Sequence, residues 1–341
     1  FNTSQSLDQF VNSIAIQPDG KILIGGWFTH LGGSLKNYFA RLNPNGTPDL
    51  FFAFGGGFDN PVRSIALQPD GKILVGGDFT TFNGVVASSK LIRLNADGTH
   101  DVSFNIWSGF HYSVYTIAIQ SDGKILVGGA FDDFNGLGKK YLIRLNANGS
   151  VDNTFDIGTG FDMNPSTAFP EIYSIKIQED GKIIVGGQFN TFNDVPQNRL
   201  ARLNSNGSLD TTFNIGNGLN GSVESFLLQN DGKIWTGGFF DSYNVTNSKS
   251  LLRLKGSLLS TNDFTKTKIS LYPNPVKEIL NVSLSENISI ENYEIYDLIG
   301  KKVISKNLTE NFINVSDLSN GVYVLKVTTN EGVITNKFIK E

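Results

Sequence analysis

The sequence predicts an all-β protein, a β-propeller of five four-stranded repeats of roughly 50 residues followed by a small Ig-like β-sandwich. Three observations predict it. Asp-Gly-Lys triplets begin at Asp19, Asp70, Asp122, Asp180 and Asp231, spaced 51, 52, 58 and 51 residues apart. Each triplet sits between strand-like runs that recur in the same order. No 3.6-residue apolar period runs through these units, which excludes a helical solenoid.

In the second repeat the first run is 62–68, Val-Arg-Ser-Ile-Ala-Leu-Gln, with equivalents starting at Val11, Val114, Ile172 and Val223. Its fourth and sixth positions are large and apolar in every copy, so they share one face of a strand. The third is always Ser or Thr, which makes the opposite face small. The Asp-Gly that follows suits a type I′ hairpin. Residues 72–79 are apolar nearly throughout and read as a strand buried on both faces. Gly76-Gly77 within it marks a bulge or the close approach of a neighbouring backbone. After a loop, the third run at 90–95 turns at Asp97-Gly98, matched by Asn45-Gly46, Asn148-Gly149 and Asn206-Gly207. A fourth run leads into Asp101-x-x-Phe104. Such a meander cannot bury both faces alone, so copies must stack. The long spacing comes from extra residues around 163–169. Phe1-Asn2 sits at the register of Phe104-Asn105, so the chain starts inside a fourth strand. Either blades precede it, or this remnant joins the last repeat and closes a five-bladed ring without exposed edges.

Composition narrows the function. Charged residues are 18% and the net charge is −4, against the basic face that a nucleic-acid partner requires. No apolar run is long enough to span a membrane as a helix. The absence of Cys excludes disulfides and thiolate metal sites. The chain begins at Phe1 without Met or signal peptide, as a processed form or a fragment would.

Two resemblances follow from the motifs. Gln-x-Asp-Gly-Lys-Ile-x-x-Gly-Gly-x-Phe, then Arg-Leu-Asn-x-(Asn/Asp)-Gly-x-x-Asp-x-x-Phe, resembles the bacterial delta-60 β-propeller repeat over 1–255. This implies a secreted or surface propeller with no assigned reaction. Residues 256–268 read as a linker. The tail, 269–341, holds seven short strand-like runs and resembles the type A C-terminal sorting domain of type IX (Por) secretion. It does so through Leu271-Tyr272-Pro273-Asn274-Pro275, Asp297, Gly300-Lys301, Gly321-Val322-Tyr323 and the terminal Lys337-Phe338-Ile339-Lys340. The resemblance implies a Bacteroidetes-type bacterium, the type IX machinery as partner, a secreted or outer-membrane surface destination, and removal of this domain on the way.

Candidate functional residues are those that do not repeat. After Gly-Gly stand Trp27, Asp78, Ala130, Gln188 and Phe239, whereas the next residue is always Phe (Phe28, Phe79, Phe131, Phe189, Phe240) and reads as core. Trp27, Asp78, Gln188 and Phe239 are therefore the candidate ligand-binding residues, with Trp27 and Phe239 able to stack on sugar rings or to pack between blades. Arg93 and Asp101 lie across their hairpin, as do Arg41/Asp49, Arg144/Asp152 and Arg202/Asp210. They form a repeated structural ion pair or an Arg ring for anionic glycans. Asn95-x-Asp97-Gly98-x-x-Asp101 offers calcium as the one candidate cofactor, but its copies carry one Asp each, and a turn explains them. His30, His100 and His111 fall at unrelated positions and complete no triad or metal spacing. The acids nearest the variable position are Asp78, Asp132, Asp133 and Asp241, with no recurring pair of the kind glycoside hydrolysis uses. No catalytic residue is assigned. The expectation is an exported, non-catalytic propeller that binds glycan or protein at the cell surface. The alternatives are the accessory C-terminal part of a larger secreted hydrolase, or a purely structural surface repeat.

Overall fold

A computed structural model describes residues 6–86, 90–163, 168–229, 232–254, 270–283, 290–297, 301–307, 312–329 and 332–341. The chain divides into two compact units, Phe1–Leu259 and Ser260–Glu341. Every regular element among the described residues is a strand, and no helix is long and apolar enough to cross a membrane.

The first unit is the propeller. Each of its five repeats forms a three-stranded antiparallel sheet, in the second repeat Val62–Leu67, Ile73–Gly77 and Leu91–Leu94. The middle strand is buried on both faces, as its composition predicts: Ile73, Leu74 and Val75 are fully buried. Ile73 and Val75 join a core with Leu23 and Phe39 of the preceding repeat, while Leu74 joins a core with Val114 and Ile117 of the following one. The cores of the unit therefore lie between blades, and stacking is what buries them. The five Phe residues after Gly-Gly are all buried.

The Gly-Gly pair makes stacking geometrically possible. A Cβ on Gly76 would lie 2.6 Å from Val114 Cγ1 of the next blade. Gly25, Gly128 and Gly186 meet Val62, Ile172 and Val223 in the same way. The second glycine faces its own hairpin: a Cβ on Gly77 would lie 2.3 Å from the Pro61 carbonyl oxygen. That close approach accompanies a bulge in the first strand, where Val62 opposes Gly77 and Ser64 opposes Gly76, leaving Arg63 without a partner residue. All five repeats carry it. The recurrent Ser of the first strand also ties blades together, since Ser13 Oγ accepts Ile65 N–H and Ser64 Oγ accepts Ile117 N–H, at 3.0 and 3.1 Å.

Two expectations need correction. The Asp-Gly turns are not type I′. Only the glycine has positive φ (Gly71, 83°), Gly71 N–H donates to Gln68 O, and Gln68 N–H donates to Lys72 O. This is a three-residue loop, a type I turn closed by a left-handed glycine, with Asp70 Oδ1 accepting Lys72 N–H. The fourth strand is also reduced. After the second turn a single bridge, Leu94 to His100, remains within the repeat. The chain then crosses to the outer edge of the next blade, where Phe110 bridges Phe134 just as Phe58 bridges Phe82. The Asp at the crossing point turns the chain: Asp101 Oδ1 accepts Ser103 N–H while Oδ2 is held by Arg93 and Lys72.

That Asp explains the repeat motif. Arg93 Nε and Lys72 Nζ bind Asp101 at 2.7 and 2.8 Å, and the Arg93 guanidinium lies 4.6 Å over the Phe104 ring. Arg93 Nη1 also donates to Ala147 O in the next repeat. The networks at Asp49, Asp152 and Asp210 repeat it. The Arg residues are buried, so they are structural and present no anion-binding ring. Burial alone would raise the Asp101 pKa, but hydrogen bonds from Lys72, Ser103 and Arg93 hold it far below the usual range. Asp152 and Asp210 are depressed likewise.

The end faces lack such neighbours. Ile14 is 64% exposed where Ile65 and Ile117 are 8%. Leu251 is 60% exposed where Leu200 is 1%, and Gly237 meets no side chain. The ring-closing role of Phe1-Asn2 falls outside the described residues.

The second unit packs two antiparallel sheets around one core. Ser270–Tyr272, Ile279–Ser283 and Phe312–Asn314 form one; Ile290–Tyr296, Lys302–Asn307, Gly321–Thr329 and Gly332–Lys340 form the other. Leu280, Ile295, Leu325 and Phe338 are fully buried between them. The seven strands correspond to the seven runs read from the sequence. The linker 256–268 lies outside the described residues.

Two predictions follow from the joints. Gly76→Ala forces Val114 aside and destabilises by about 1–3 kcal/mol, whereas Gly237→Ala, with an open socket, is neutral or stabilising by about 0.4–1 kcal/mol; equal losses in denaturant melts of the two variants contradict the socket. Asp101→Asn strands the buried Arg93 and costs about 3–5 kcal/mol. Because the depressed carboxylates stabilise the fold above their unfolded pKa and release that stability as pH falls toward the folded value, melting temperature drops below about pH 4. The variant shows a shallower drop; an unchanged acid slope argues against the network.

Candidate functional site

The bulge in each first strand displaces one residue: Asn12, Arg63, Tyr115, Tyr173 and Glu224. A bulge locally re-aims a side chain, and here it does so five times around one axis. All five residues line a single cavity of about 520 Å³ where the inner strands begin. Glu171 and Ser222, each immediately before its strand's bulge pair, and Gln188 and Phe239, each after Gly-Gly, complete the wall.

Two of the four sequence candidates, Gln188 and Phe239, thus reach the cavity, and Phe239 is 81% exposed. Trp27 and Asp78 do not line it. They hold Arg63 instead: Asp78 Oδ2 binds its Nη2 at 2.7 Å, and Arg63 lies 5.0 Å over the Trp27 ring and 5.4 Å over Tyr115. The other Asp78 carboxylate oxygen is buried without a hydrogen-bond partner. The Tyr115 and Tyr173 rings stand 5.6 Å apart, and both hydroxyls donate to Glu171, Tyr115 at 3.4 Å and Tyr173 more closely. Burial and then the Glu171 charge push the Tyr115 phenol up to about 12. Burial and the Glu171 hydrogen bond raise Tyr173 further. Glu224 accepts from Ser222 Oγ at 2.7 Å.

The bulged residues and Glu171 were not singled out from the sequence. The available signal was variability at the second position of an otherwise regular first run, beside a Gly-Gly that demands a bulge. The calcium reading loses its ligands, because Asp97 Oδ1 accepts from Thr99 N–H and Oγ and Asp101 is bound by Arg93 and Lys72. Among the described residues no group of His, Asp and Glu suits a metal. His30 pairs with Asp8 and His111 with Asp132.

In the C-terminal unit the motif residues brace the sandwich. Asn274 Oδ1 accepts Ile339 N–H at 2.8 Å, fastening the Tyr272–Pro275 turn to the last strand. Asp297 and Lys301 close a hairpin, with Lys301 N–H donating to Asp297 Oδ1. Gly321 opens its strand, and Tyr323 stacks on Phe338 while its hydroxyl donates to Ser319 O. Tyr272 is exposed, as are Pro273 and Pro275. Gly300 lies outside the described residues.

Comparison with known proteins agrees with this architecture. The family described as "Domain of unknown function (DUF5122) beta-propeller" matches 17–52, 68–104, 120–155, 178–213 and 229–257. The "Secretion system C-terminal sorting domain" matches 270–341. An ulvan lyase of Nonlabens ulvanivorans is 28% identical over 124 residues, 34% of this chain and 22% of that protein. Beta-agarase D of Zobellia galactanivorans is 32% identical over 65 residues, 19% of this chain and 13% of that protein. The chain therefore spans less than a quarter of the curated relatives it matches. Among solved structures, PorZ of Porphyromonas gingivalis, a surface component of the type IX secretion system, aligns over 98% of this chain and 45% of its own, at 14% identity and a TM-score of 0.41. The extracellular domain of a hybrid two-component system protein of B. thetaiotaomicron aligns over 100% and 56%, at 11% identity and a TM-score of 0.39. With five matched repeats and a matched tail, the chain belongs to the DUF5122 beta-propeller family, and its type IX sorting domain makes it a secreted or outer-membrane surface protein.

Proposed function

We propose that the propeller is a non-catalytic glycan-binding module delivered by its sorting domain. The observation that carries this reading is the convergence on one cavity of five bulge-displaced side chains of four different types. A structural repeat has no need of that diversity at one place. The wall offers aromatic faces in Tyr115, Tyr173 and Phe239, and hydrogen-bonding groups in Glu171, Glu224, Gln188 and Asn12, the combination that sugar rings use. Arg63 is neutralised by Asp78, so Glu171 and Glu224 leave the cavity acidic. They accept hydroxyl hydrogen bonds and disfavour sulfated or uronic sugars. The raised phenols stay protonated at neutral pH with their hydrogens donated to Glu171, so toward a sugar hydroxyl their oxygens accept hydrogen bonds and do not act as general bases.

A second reading is favoured by the named relatives, an ulvan lyase and an agarase, which are much longer than the matched stretches. In it the propeller and tail accompany a polysaccharide-degrading domain and hold it to substrate. The cavity has the same role in both readings.

Neutral polysaccharides on a glycan array retain the full chain, and Phe239→Ala or Tyr173→Phe weakens retention about tenfold, the equivalent of about 1.4 kcal/mol. Retention of uronic or sulfated glycans alone, or unaffected variants, counts against the reading. Glu171→Gln removes the charge and one of the two acceptor oxygens that add to burial in raising the two phenols, so in alkaline titration phenolate absorbance appears at lower pH than in the parent. An identical titration curve excludes the Glu171–tyrosine coupling.

A further inference from the structure

We infer that the outer edge of the third repeat carries a second sugar-binding site, in which the Trp107 indole stacks on a neutral pyranose ring. The inference stands on residues apart from the axial cavity. In the segments that cross onto the second, fourth and fifth repeats, one position is glycine at positive φ: Gly55 at 66°, Gly158 at 63° and Gly216 at 62°. A Cβ on any of them would meet the carboxamide of Asn83, Asn193 or Asn244, the nearest atoms at 2.6, 2.8 and 2.6 Å. In the segment that crosses onto the third repeat, the same position is Trp107, at φ 58°. A bulky aromatic in the left-handed region is strained, and such strain points to function when packing does not repay it. Trp107 is 71% exposed, so packing does not.

Beside Trp107 lies a cavity of about 500 Å³ whose lining side chains are all uncharged. Leu137, 57% exposed, and the buried Phe134 supply apolar surface. Asn105, Asn135 and Asn148 supply the polar wall. Their carboxamide oxygens are already occupied: Asn105 accepts Trp107 N–H, Asn135 accepts Gly109 N–H and Ser108 Oγ–H, and Asn148 accepts Ser150 N–H and Oγ–H. The NH₂ groups remain as donors on the wall. An exposed indole, an aliphatic neighbour and several amide donors match a sugar ring, whose C–H face stacks while its hydroxyls accept. A carboxylate or sulfate would find no countercharge on this wall. The third repeat departs from its sisters at the adjoining loop as well. Thr81–Phe82 pairs with Val85–Val86, and Thr191–Phe192 with Val195–Pro196. In the third repeat the Asp133 carboxylate instead takes Gly136 and Gly138 N–H at 2.6 and 2.7 Å, forming the loop that carries Leu137.

Trp107→Gly tests this without endangering the fold, because it restores the residue of the sister repeats. The full chain is titrated with cello-, galacto- and mannohexaose by calorimetry and tryptophan fluorescence. At least one hexaose is expected to bind and shift the emission. Trp107→Gly should keep or raise the melting temperature while weakening this binding at least tenfold. Phe239→Ala, in the axial cavity, should leave the Trp107-dependent component intact, so that two sites give two separable losses. Wild-type affinity in Trp107→Gly, a lowered melting temperature that reveals a packing role, or a fluorescence response to apolar peptides but to no hexaose would each overturn the assignment.

Discussion

At each joint of the propeller, a branched side chain from the incoming blade occupies the space where the preceding middle strand would otherwise carry a Cβ. Val62 on Gly25, Val114 on Gly76, Ile172 on Gly128 and Val223 on Gly186 are four instances of one contact. The remaining architecture depends on it. A thin three-stranded sheet has no core of its own, and the apolar residues of its middle strand point alternately to one neighbour and to the other. Only close approach removes both sets from water. The second glycine admits the carbonyl of its own hairpin, and the resulting bulge turns one side chain per blade toward the axis. Stacking and the lining of the cavity therefore have a common origin in one dipeptide.

The outer half of each of the first four blades is held by charge. An aspartate receives both an arginine and a lysine, with a phenylalanine ring lying against the guanidinium. Such a buried cluster is weak evidence for net stability, since desolvation opposes it. Its geometric effect is plain, however. It bends the chain away from its own sheet, and the arginine reaches the turn of the following repeat.

Much of the fold was legible because it repeats. The burial of the middle strand, the buried Phe after Gly-Gly and the Arg–Asp pairing follow from residue type and position. The turn type was misread because Asp-Gly fits two hairpin geometries, and the number of loop residues decides between them. The fourth strand was misread because a run can leave its own sheet and serve the next, which strand propensity does not record. The cavity was half legible. Gln188 and Phe239 stand out as variable positions. Arg63, Tyr115 and Tyr173 look like ordinary strand residues until the bulge exposes them, and Trp27 and Asp78 turn out to secure Arg63.

The crossing segment has an evolutionary consequence. Residues 104–110 belong by sequence to one repeat and by contact to the next, so no seam between repeats is also a seam between blades. A tandem duplication or deletion of one whole period, begun at any phase, restores every knob, socket and carboxylate cluster. A change of part of a period breaks at least one of each. The extra residues of the fourth repeat enter after Met163, whose sulfur is contacted by Arg199. The gene can thus lengthen or shorten its array by recombination between copies, and each new copy arrives with one unconstrained axial position and one unconstrained rim loop on which selection can act.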